Sequence, residues 1–224
     1  MARHWGYGMG GAALALAAVL AAPAATAQPA RARASASVDL DARLREAQAS
    51  PVLEQSLLKT GRRVAAVCAH CHGEGGSSVK PDIPNLAGQN PAYLLEQLRQ
   101  FADGRRRNEF MEGMIRAMDS DEKVGMVLFY ASQPVAPRPS APSALVAAGR
   151  EYYGKVCFRC HGTDGHGNTL IPRIAGQQTG YLRTTLQRYR AGSDVRVEPL
   201  MSASTRLMSD AEIGAVAAYV ASMP

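Results

Sequence analysis

The segments VCAHCHG at residues 67–73 and VCFRCHG at residues 156–162 decide how this chain folds. Each segment has two cysteines three positions apart, with a histidine directly after the second cysteine. In a helix, this spacing places the two thiols about one turn apart with the imidazole beside them. All four cysteines of the chain lie in these two motifs, so the chemistry of the motifs accounts for every thiol.

Zinc sites, dithiol redox pairs and buried structural cysteines are the competing interpretations of these motifs. A zinc site usually takes four protein ligands, and a redox pair requires no following histidine. Because the histidine recurs in both motifs, the pattern favours two haem c groups, each attached covalently through two thioethers. The predicted attachment residues are Cys68, Cys71, Cys157 and Cys160. His72 and His161, held beside the thioethers, are the predicted proximal ligands of the two irons.

The sequence around each motif is duplicated as well. The segment PNLAGQNPAYL at residues 84–94 matches PRIAGQQTGYL at residues 172–182. Further along, MDSDEKVGMVLFYAS at residues 118–132 matches MSDAEIGAVAAYVAS at residues 208–222. Matching residues lie 88 to 90 positions apart, which indicates two copies of one structural unit with few insertions between them.

The domain boundaries follow from the repeat and from a change in composition. Residues 134–142 contain four prolines, which predicts an extended linker. We predict one domain at residues 52–133 and a second at residues 143–224, on either side of this linker. An N-terminal extension at residues 28–51, with a helical pattern near residues 40–47, precedes the first domain and has no predicted role.

The first 27 residues have the features of an export signal. Arg3 supplies a positive start, residues 10–22 are small and apolar, and Ala-Thr-Ala at residues 25–27 matches a signal-peptidase site. A retained membrane anchor is the competing interpretation, but the apolar run is shorter than the ~20 residues that span a bilayer. We therefore predict a signal peptide at residues 1–27, cleaved near Ala27, and a periplasmic protein.

Apolar residues recur with helical spacing in each copy, and no stretch alternates convincingly as a strand does. The predicted helices cover residues 53–67, 91–102, 143–156 and 179–191. Ser143 is the predicted N-cap of the third of these. Asp119 and Ser209, each followed by a glutamate three positions later, predict capping boxes at the start of a last helix in each copy. Three helices in about 80 residues make a thin core, so we expect a cofactor to fill it.

The order CxxCHG, P-x-[LI]-A-G-Q, Y-L and a methionine before a capped final helix occurs in both halves. This order resembles the dihaem cytochrome c4 family of bacterial electron carriers, over about residues 60–224. The resemblance implies an all-α fold of two tandem class I cytochrome c domains. It also implies that each domain packs its helices around a covalent haem with histidine and methionine as axial ligands.

The repeat leaves more than one candidate for each methionine ligand. Superposition of the two copies pairs Met111 with Met201 and Met118 with Met208, whereas Met114 faces a serine. Met118 and Met208 directly precede N-caps, where an apolar side chain commonly packs onto the helix. The cytochrome c4 resemblance implies that the ligand lies seven residues earlier, so Met111 and Met201 are the predicted ligands.

The same resemblance implies a partner for each proximal histidine. Pro84 and Pro172 follow the histidines by 12 and 11 residues, and in that family a proline carbonyl at this place accepts the imidazole N–H. The alternative is that both prolines only shape the loop before the Ala-Gly-Gln segment. His70, inside the first motif, and His166, in a glycine-rich loop, are not predicted to be ligands.

Charge restricts the class of partner without naming it. The formal net charge is +6, which suits an acidic redox protein or a loose association with a membrane surface. An exported protein meets little nucleic acid, so none is predicted as a partner. The three arginines at residues 105–107 are interpreted as a solvated loop, a docking patch or partners of the haem propionates.

The resemblance implies an electron carrier of a respiratory chain and not an enzyme. Its predicted donor is a quinol-oxidising complex or a dehydrogenase, and its predicted acceptor is a terminal oxidase. The alternative is the haem-bearing cytochrome subunit of a periplasmic dehydrogenase, such as a flavin-containing sulfide dehydrogenase. A dihaem peroxidase is a third hypothesis, but it requires one iron with an exchangeable site, whereas both repeats supply a methionine.

Overall fold

The computed structural model describes residues 39–136 and 142–224. Within these ranges the chain is helical, and its only β feature is an isolated antiparallel bridge between Arg106 and Arg196. The predicted signal peptide, the start of the extension and residues 137–141 of the predicted linker lie outside the described residues. None of the helices in the described ranges is both long and apolar enough to cross a membrane.

The first half contains five α-helices and a short 3-10 turn. In chain order the helices are α1 (Leu40–Ala49), α2 (Pro51–His72), α3 (Pro91–Asp103), α4 (Glu109–Ala117) and α5 (Ser120–Ala131), with the 3-10 turn at Glu74–Gly76 between α2 and α3. Buried apolar side chains such as Leu95 and Val127 form one hydrophobic core among these helices.

The second half repeats this arrangement without a counterpart of α1. Its helices are α6 (Ser143–Tyr153), α7 (Phe158–His161), α8 (Thr179–Arg190), α9 (Pro199–Thr205) and α10 (Asp210–Ser222). A separate hydrophobic core contains Ile213 and Ala217 of α10, both fully buried. Two separate cores are what a duplicated unit predicts, and the all-α fold is confirmed.

The close contact of α2 with α5, and of α6 with α10, is the main packing feature of the two halves. A Cβ added to Gly61 of α2 would lie 2.0 Å from the backbone oxygen of Gly125 on α5. In the second half, a Cβ added to Gly149 of α6 would lie 2.0 Å from the backbone oxygen of Ala215 on α10. Only glycine permits this approach, so the two repeats share one helix crossing.

Both predicted capping boxes are confirmed. The Asp119 side chain accepts from the backbone N–H of Glu122, whose own side chain accepts from Asp119 N–H. Ser209 and Glu212 form the same reciprocal pair at the start of α10. The predicted N-cap at Ser143 is wrong, because the extended backbone of Pro142 takes that position and Ser143 is already the first helical residue.

The two copies differ in how their first helix reaches the cysteines. In the first copy α2 continues through Cys68 and Cys71 to His72, whereas α6 ends at Tyr153 and a turn precedes α7. The predicted helix at residues 143–156 is therefore too long by three residues. Gly154 follows Tyr153, and glycine destabilises a helix interior by roughly 1 kcal/mol relative to alanine.

The extension supplies a helix that packs on the first half. Leu44 and Ala47 of α1 are buried in the core of that half. Arg43 forms an ion pair with Asp121 of α5 (2.9 Å), and Asp41 forms one with Arg99 of α3 (2.7 Å). Helix α1 is therefore part of the first folded unit.

Candidate functional site

Each motif histidine lies at the end of its helix, turned inwards. His72 and His161 are only 8% and 7% exposed. The Nδ1 of His72 lies 2.9 Å from the carbonyl oxygen of Pro84, and the Nδ1 of His161 lies 3.1 Å from that of Pro172. Because a carbonyl accepts only, each Nδ1 carries the proton and each Nε2 keeps its lone pair for a metal.

Burial lowers the pKa of both histidines, which keeps the imidazoles neutral as metal ligands must be. The hydrogen bond from each Nδ1–H to the proline carbonyl opposes this effect without reversing it. The hydrogen bond that the resemblance implies is therefore present in both halves. Its role beside an iron stays a prediction.

No disulfide joins any of the four cysteines, all of which lie in the described residues. Burial raises the pKa of Cys68, and it raises the pKa of Cys157 to about 11. The second cysteine of each motif is accessible, since Cys71 is half-buried and Cys160 is exposed. Among the described residues, no group of three or more histidine, cysteine, aspartate or glutamate side chains is gathered as a zinc site requires.

The predicted methionine ligands are both half-buried. Met111 lies in α4 and packs against the core of the first half, and Met201 lies in α9. Met208 is 4% exposed and belongs to the apolar core of the second half, as expected for a residue that packs onto the following helix. Met111 and Met201 remain predictions.

The two other described histidines take no part in these sites. His70 is exposed, and its Nδ1 contacts the carbonyl oxygen of Val67 in its own helix. His166 is exposed as well, with Nδ1 3.3 Å from the Asp164 carboxylate and Nε2 3.3 Å from the backbone oxygen of Pro224.

Arginines and tyrosines cluster at the contact between the halves, and the sequence analysis singled out only Arg106 among them, as part of the 105–107 run. Arg196 and Arg106 both donate to the Tyr181 hydroxyl, at 2.7 Å and 3.1 Å, and Arg196 also donates to the Tyr93 hydroxyl. Burial would raise the pKa of Tyr181, but the two guanidinium charges lower it overall. In the described part of the chain, neither arginine forms an ion pair with a carboxylate.

The repeat carries the signal that could have revealed this cluster. Tyr93 and Tyr181 are equivalent, 88 positions apart, and Arg106 and Arg196 are equivalent, 90 positions apart. Each arginine stacks on an aromatic ring of its own half, at 4.5 Å for Arg106 on Phe101 and 5.4 Å for Arg196 on Tyr189. The rest of the 105–107 run is as predicted for a solvated loop, since Arg105 and Arg107 are exposed.

The chemistry of these residues fits a haem c group in each half. Each half offers two thiols and a neutral imidazole with a free Nε2, in the order that thioether attachment and axial ligation require. The guanidinium groups of Arg106 and Arg196, which pair with no carboxylate among the described residues, are suited to the propionate carboxylates that a haem brings. The donor set of each half is therefore complete for one covalently attached haem on its proximal side.

Comparison with known proteins agrees with this chemistry. The family described as cytochrome c matches residues 58–126 and again residues 146–224. Cytochrome c4 of Thiocapsa roseopersicina is 34% identical over 167 residues, which cover 69% of this chain and 85% of that protein. The thiosulfate dehydrogenase electron acceptor of Thiomonas intermedia is 32% identical and covers 71% of this chain and 80% of that protein.

The fold agrees with a solved structure as well. The crystal structure of reduced recombinant cytochrome c4 from Pseudomonas stutzeri superimposes with a TM-score of 0.69 and 28% identity, covering 74% of this chain and 98% of that one. The chain belongs to the cytochrome c family and, within it, to the dihaem cytochrome c4 group of electron carriers. Helix α1 lies before the first segment that the family matches.

Proposed function

We propose that this member of the cytochrome c4 group is a periplasmic carrier that holds two covalent haems and passes electrons towards a terminal oxidase. The observation that carries the proposal is the same arrangement in both halves: a buried neutral histidine whose Nδ1–H donates to a proline carbonyl, next to two thiols. When bound, a haem supplies reversible one-electron chemistry at its iron. The chain supplies attachment, axial ligands and the environment of that iron.

Each residue of the site has a defined part in this proposal. Cys68 and Cys71 attach the first haem, with His72 and Met111 as axial ligands; Cys157 and Cys160 attach the second, with His161 and Met201. A thioether sulfur favours ferrous iron and raises the reduction potential. Two closed, six-coordinate irons suit electron transfer, because little has to move when an electron arrives.

The arginine and tyrosine cluster has a proposed part as well. Arg106 and Arg196 offer guanidinium groups to the propionates of the haems, with which planar, two-pronged hydrogen bonds form readily. Stacking on Phe101 and Tyr189 holds both arginines in place before a haem carboxylate arrives. The two guanidinium groups would then offset the negative charge of the propionates at the contact between the two halves.

Mass spectrometry of the denatured, exported protein tests the proposal. Thioethers survive acid, so the intact chain should carry two haem masses and begin at Gln28. Replacing Cys68 and Cys71 together with alanine should leave one haem mass, carried by the second half. The reduced wild-type protein should bind carbon monoxide negligibly, and stoichiometric binding to either haem would contradict a carrier with two closed irons.

A second candidate function is that of the cytochrome partner of a dehydrogenase. A flavin-containing sulfide dehydrogenase is one such enzyme. The similarity to the thiosulfate dehydrogenase electron acceptor of Thiomonas intermedia favours a thiosulfate dehydrogenase instead. The oxidised protein is mixed in a stopped-flow instrument with a purified thiosulfate dehydrogenase and thiosulfate, and separately with a quinol-oxidising complex and quinol. Rapid reduction by the dehydrogenase supports the partner role, and reduction only by the quinol-oxidising complex supports the respiratory carrier.

A further inference from the structure

The two halves are joined at the residue that follows the proline of each site. The Gln177 side chain, from the second half, accepts from the backbone N–H of Asn85 at 2.7 Å and donates to the backbone oxygen of Asn85 at 3.0 Å. A backbone N–H only donates and a carbonyl only accepts, so Asn85 fixes which end of the Gln177 amide faces which group.

The opposite half makes the same contact in return. The Gln89 side chain, from the first half, accepts from the backbone N–H of Arg173 at 2.8 Å and donates to its backbone oxygen at 2.7 Å. Gln89 and Gln177 are the glutamines of the two Ala-Gly-Gln segments, 88 residues apart in the repeat. Both are 7% exposed, so water does not compete for these bonds.

Each glutamine therefore reaches the same peptide group as a proximal histidine. The oxygen of the Pro84–Asn85 peptide accepts from His72, while the N–H of that peptide donates to Gln177. This produces a continuous chain of hydrogen bonds from the imidazole of one half, through a single peptide group, to a side chain of the other half.

The mirrored chain runs in the opposite direction. The oxygen of the Pro172–Arg173 peptide accepts from His161, and its N–H donates to Gln89. A peptide whose N–H donates to an acceptor becomes more polarised, so its carbonyl accepts more strongly at its other end. A stronger acceptor at Nδ1 makes the imidazole a better electron donor to a bound iron.

We propose that Gln177 and Gln89 are positioning residues that lower the reduction potential of the haem in the opposite half. This inference rests on the proposed function, because it requires that His72 and His161 bind haem iron. Loss of the Gln177 acceptor weakens the hydrogen bond between Pro84 and His72, and a less electron-rich imidazole stabilises ferric iron less. The potential of the first haem therefore rises, although the altered residue belongs to the second half.

Gln177→Leu and Gln89→Leu in the two-haem protein test the proposal. Leucine fills similar space without an amide. For Gln177→Leu we expect the first haem to shift by about threefold in its redox equilibrium constant, which is about 28 mV for one electron at 59 mV per tenfold. The second haem should shift less, and Gln89→Leu should show the reverse. Proton NMR follows the haem methyl groups of each half separately during the redox titration.

The second readout reports on the hydrogen bond itself. In the reduced protein, the His72 Nδ1–H resonance should move upfield in Gln177→Leu, while that of His161 stays in place. If the leucine variants fail to retain both haems, Gln177→Met carries the test, since methionine has similar length and its thioether is only a weak acceptor for the Asn85 N–H. That variant should move the His72 resonance upfield and raise the potential of the first haem, as leucine does.

The matched controls are the next residues in the repeat, Gln178 and Asn90. Gln178 donates across the domain contact to the Ser78 backbone oxygen and to the Asn85 side chain. Asn90 donates across the same contact to the Ile171 backbone oxygen. Neither side chain accepts from the N–H of a peptide whose carbonyl accepts from a proximal histidine. Gln178→Leu and Asn90→Leu disturb the same contact and should leave both imidazole resonances unshifted.

The outcomes separate this inference from the proposed function. Crossed shifts in the glutamine variants, absent from the controls, support it. Unchanged potentials in glutamine variants that carry two haems would overturn this inference and leave the proposed function standing. Equal shifts of both haems, or the same shifts in the control variants, would do the same. A wild-type protein without covalent haem would overturn the proposed function itself.

Discussion

At the scale of single residues, the predicted methionine ligands can be tested one haem at a time. Met111→Ala and Met201→Ala should each remove the sulfur ligand of one haem and lower the potential of that haem, because the thioether favours ferrous iron. The sulfur-to-iron charge-transfer absorption should fall by about half in each variant, since one of two equivalent ligands is lost. Near-infrared absorption of the oxidised protein measures this band.

Met114→Ala is the matched control for the first half, because Met114 lies in the same helix and faces a serine in the repeat. It should leave the band intact. Loss of the band in Met114→Ala but not in Met111→Ala would show that the alignment of the two copies is misplaced in the first domain.

At the scale of elements, the crossing of α2 and α5 has no room for a side chain. The Cβ of Gly61→Ala would lie 2.0 Å from the Gly125 oxygen and 2.8 Å from the Met126 nitrogen, and these backbone atoms cannot rotate away. The helices must separate, so we expect a loss of about 2 to 3 kcal/mol in the free energy of unfolding. Urea denaturation followed by circular dichroism measures it.

Gly113→Ala is the control for that substitution. Gly113 lies inside α4 with nothing within 4 Å of an added Cβ, so alanine should stabilise the protein by about 0.5 to 1 kcal/mol through helix propensity. Equal effects of the two alanines would mean that the close crossing does not limit stability.

Helix α1 gives a second prediction at this scale. Leu44 is 5% exposed in the core of the first half, so Leu44→Ala should cost about 2 to 4 kcal/mol of unfolding free energy in that half. Val52→Ala, at an 82% exposed position of α2, should change stability by less than about 0.5 kcal/mol. A Leu44→Ala variant as stable as wild type would show that α1 is dispensable for the first core.

At the scale of the whole molecule, the two halves should depend on their haems separately. Each half has a core of its own, and a small domain that encloses a cofactor draws much of its stability from that cofactor. Cys157→Ala combined with Cys160→Ala should therefore remove the helical signal of α6 to α10 while α1 to α5 persist. Circular dichroism together with haem absorption measures both halves, and native helix content in this double variant would refute the dependence.

Local rules account for what was predictable about this fold. Capping boxes, the Cys-x-x-Cys-His spacing and the ends of α3 are set by residues within a few positions of one another, so each can be read along the chain. The N-cap at Ser143 was wrong for a local reason too, since Pro142 occupies the extended position. Nothing local indicated that α1 packs on α3 and α5, because its ion pairs join residues far apart in sequence.

The sequence by itself determined the duplication and the helical class, and it predicted the residues that attach and face each haem, because these depend on repeated motifs and short spacings. Only the tertiary structure decided that Gln177 reaches Asn85 and that Arg196 meets Tyr93, pairs 92 and 103 residues apart. Such contacts arise from docking one half on the other. Each half carries the same polar residues, and their partners are defined only when two buried surfaces meet and every backbone N–H and carbonyl between them requires a hydrogen bond.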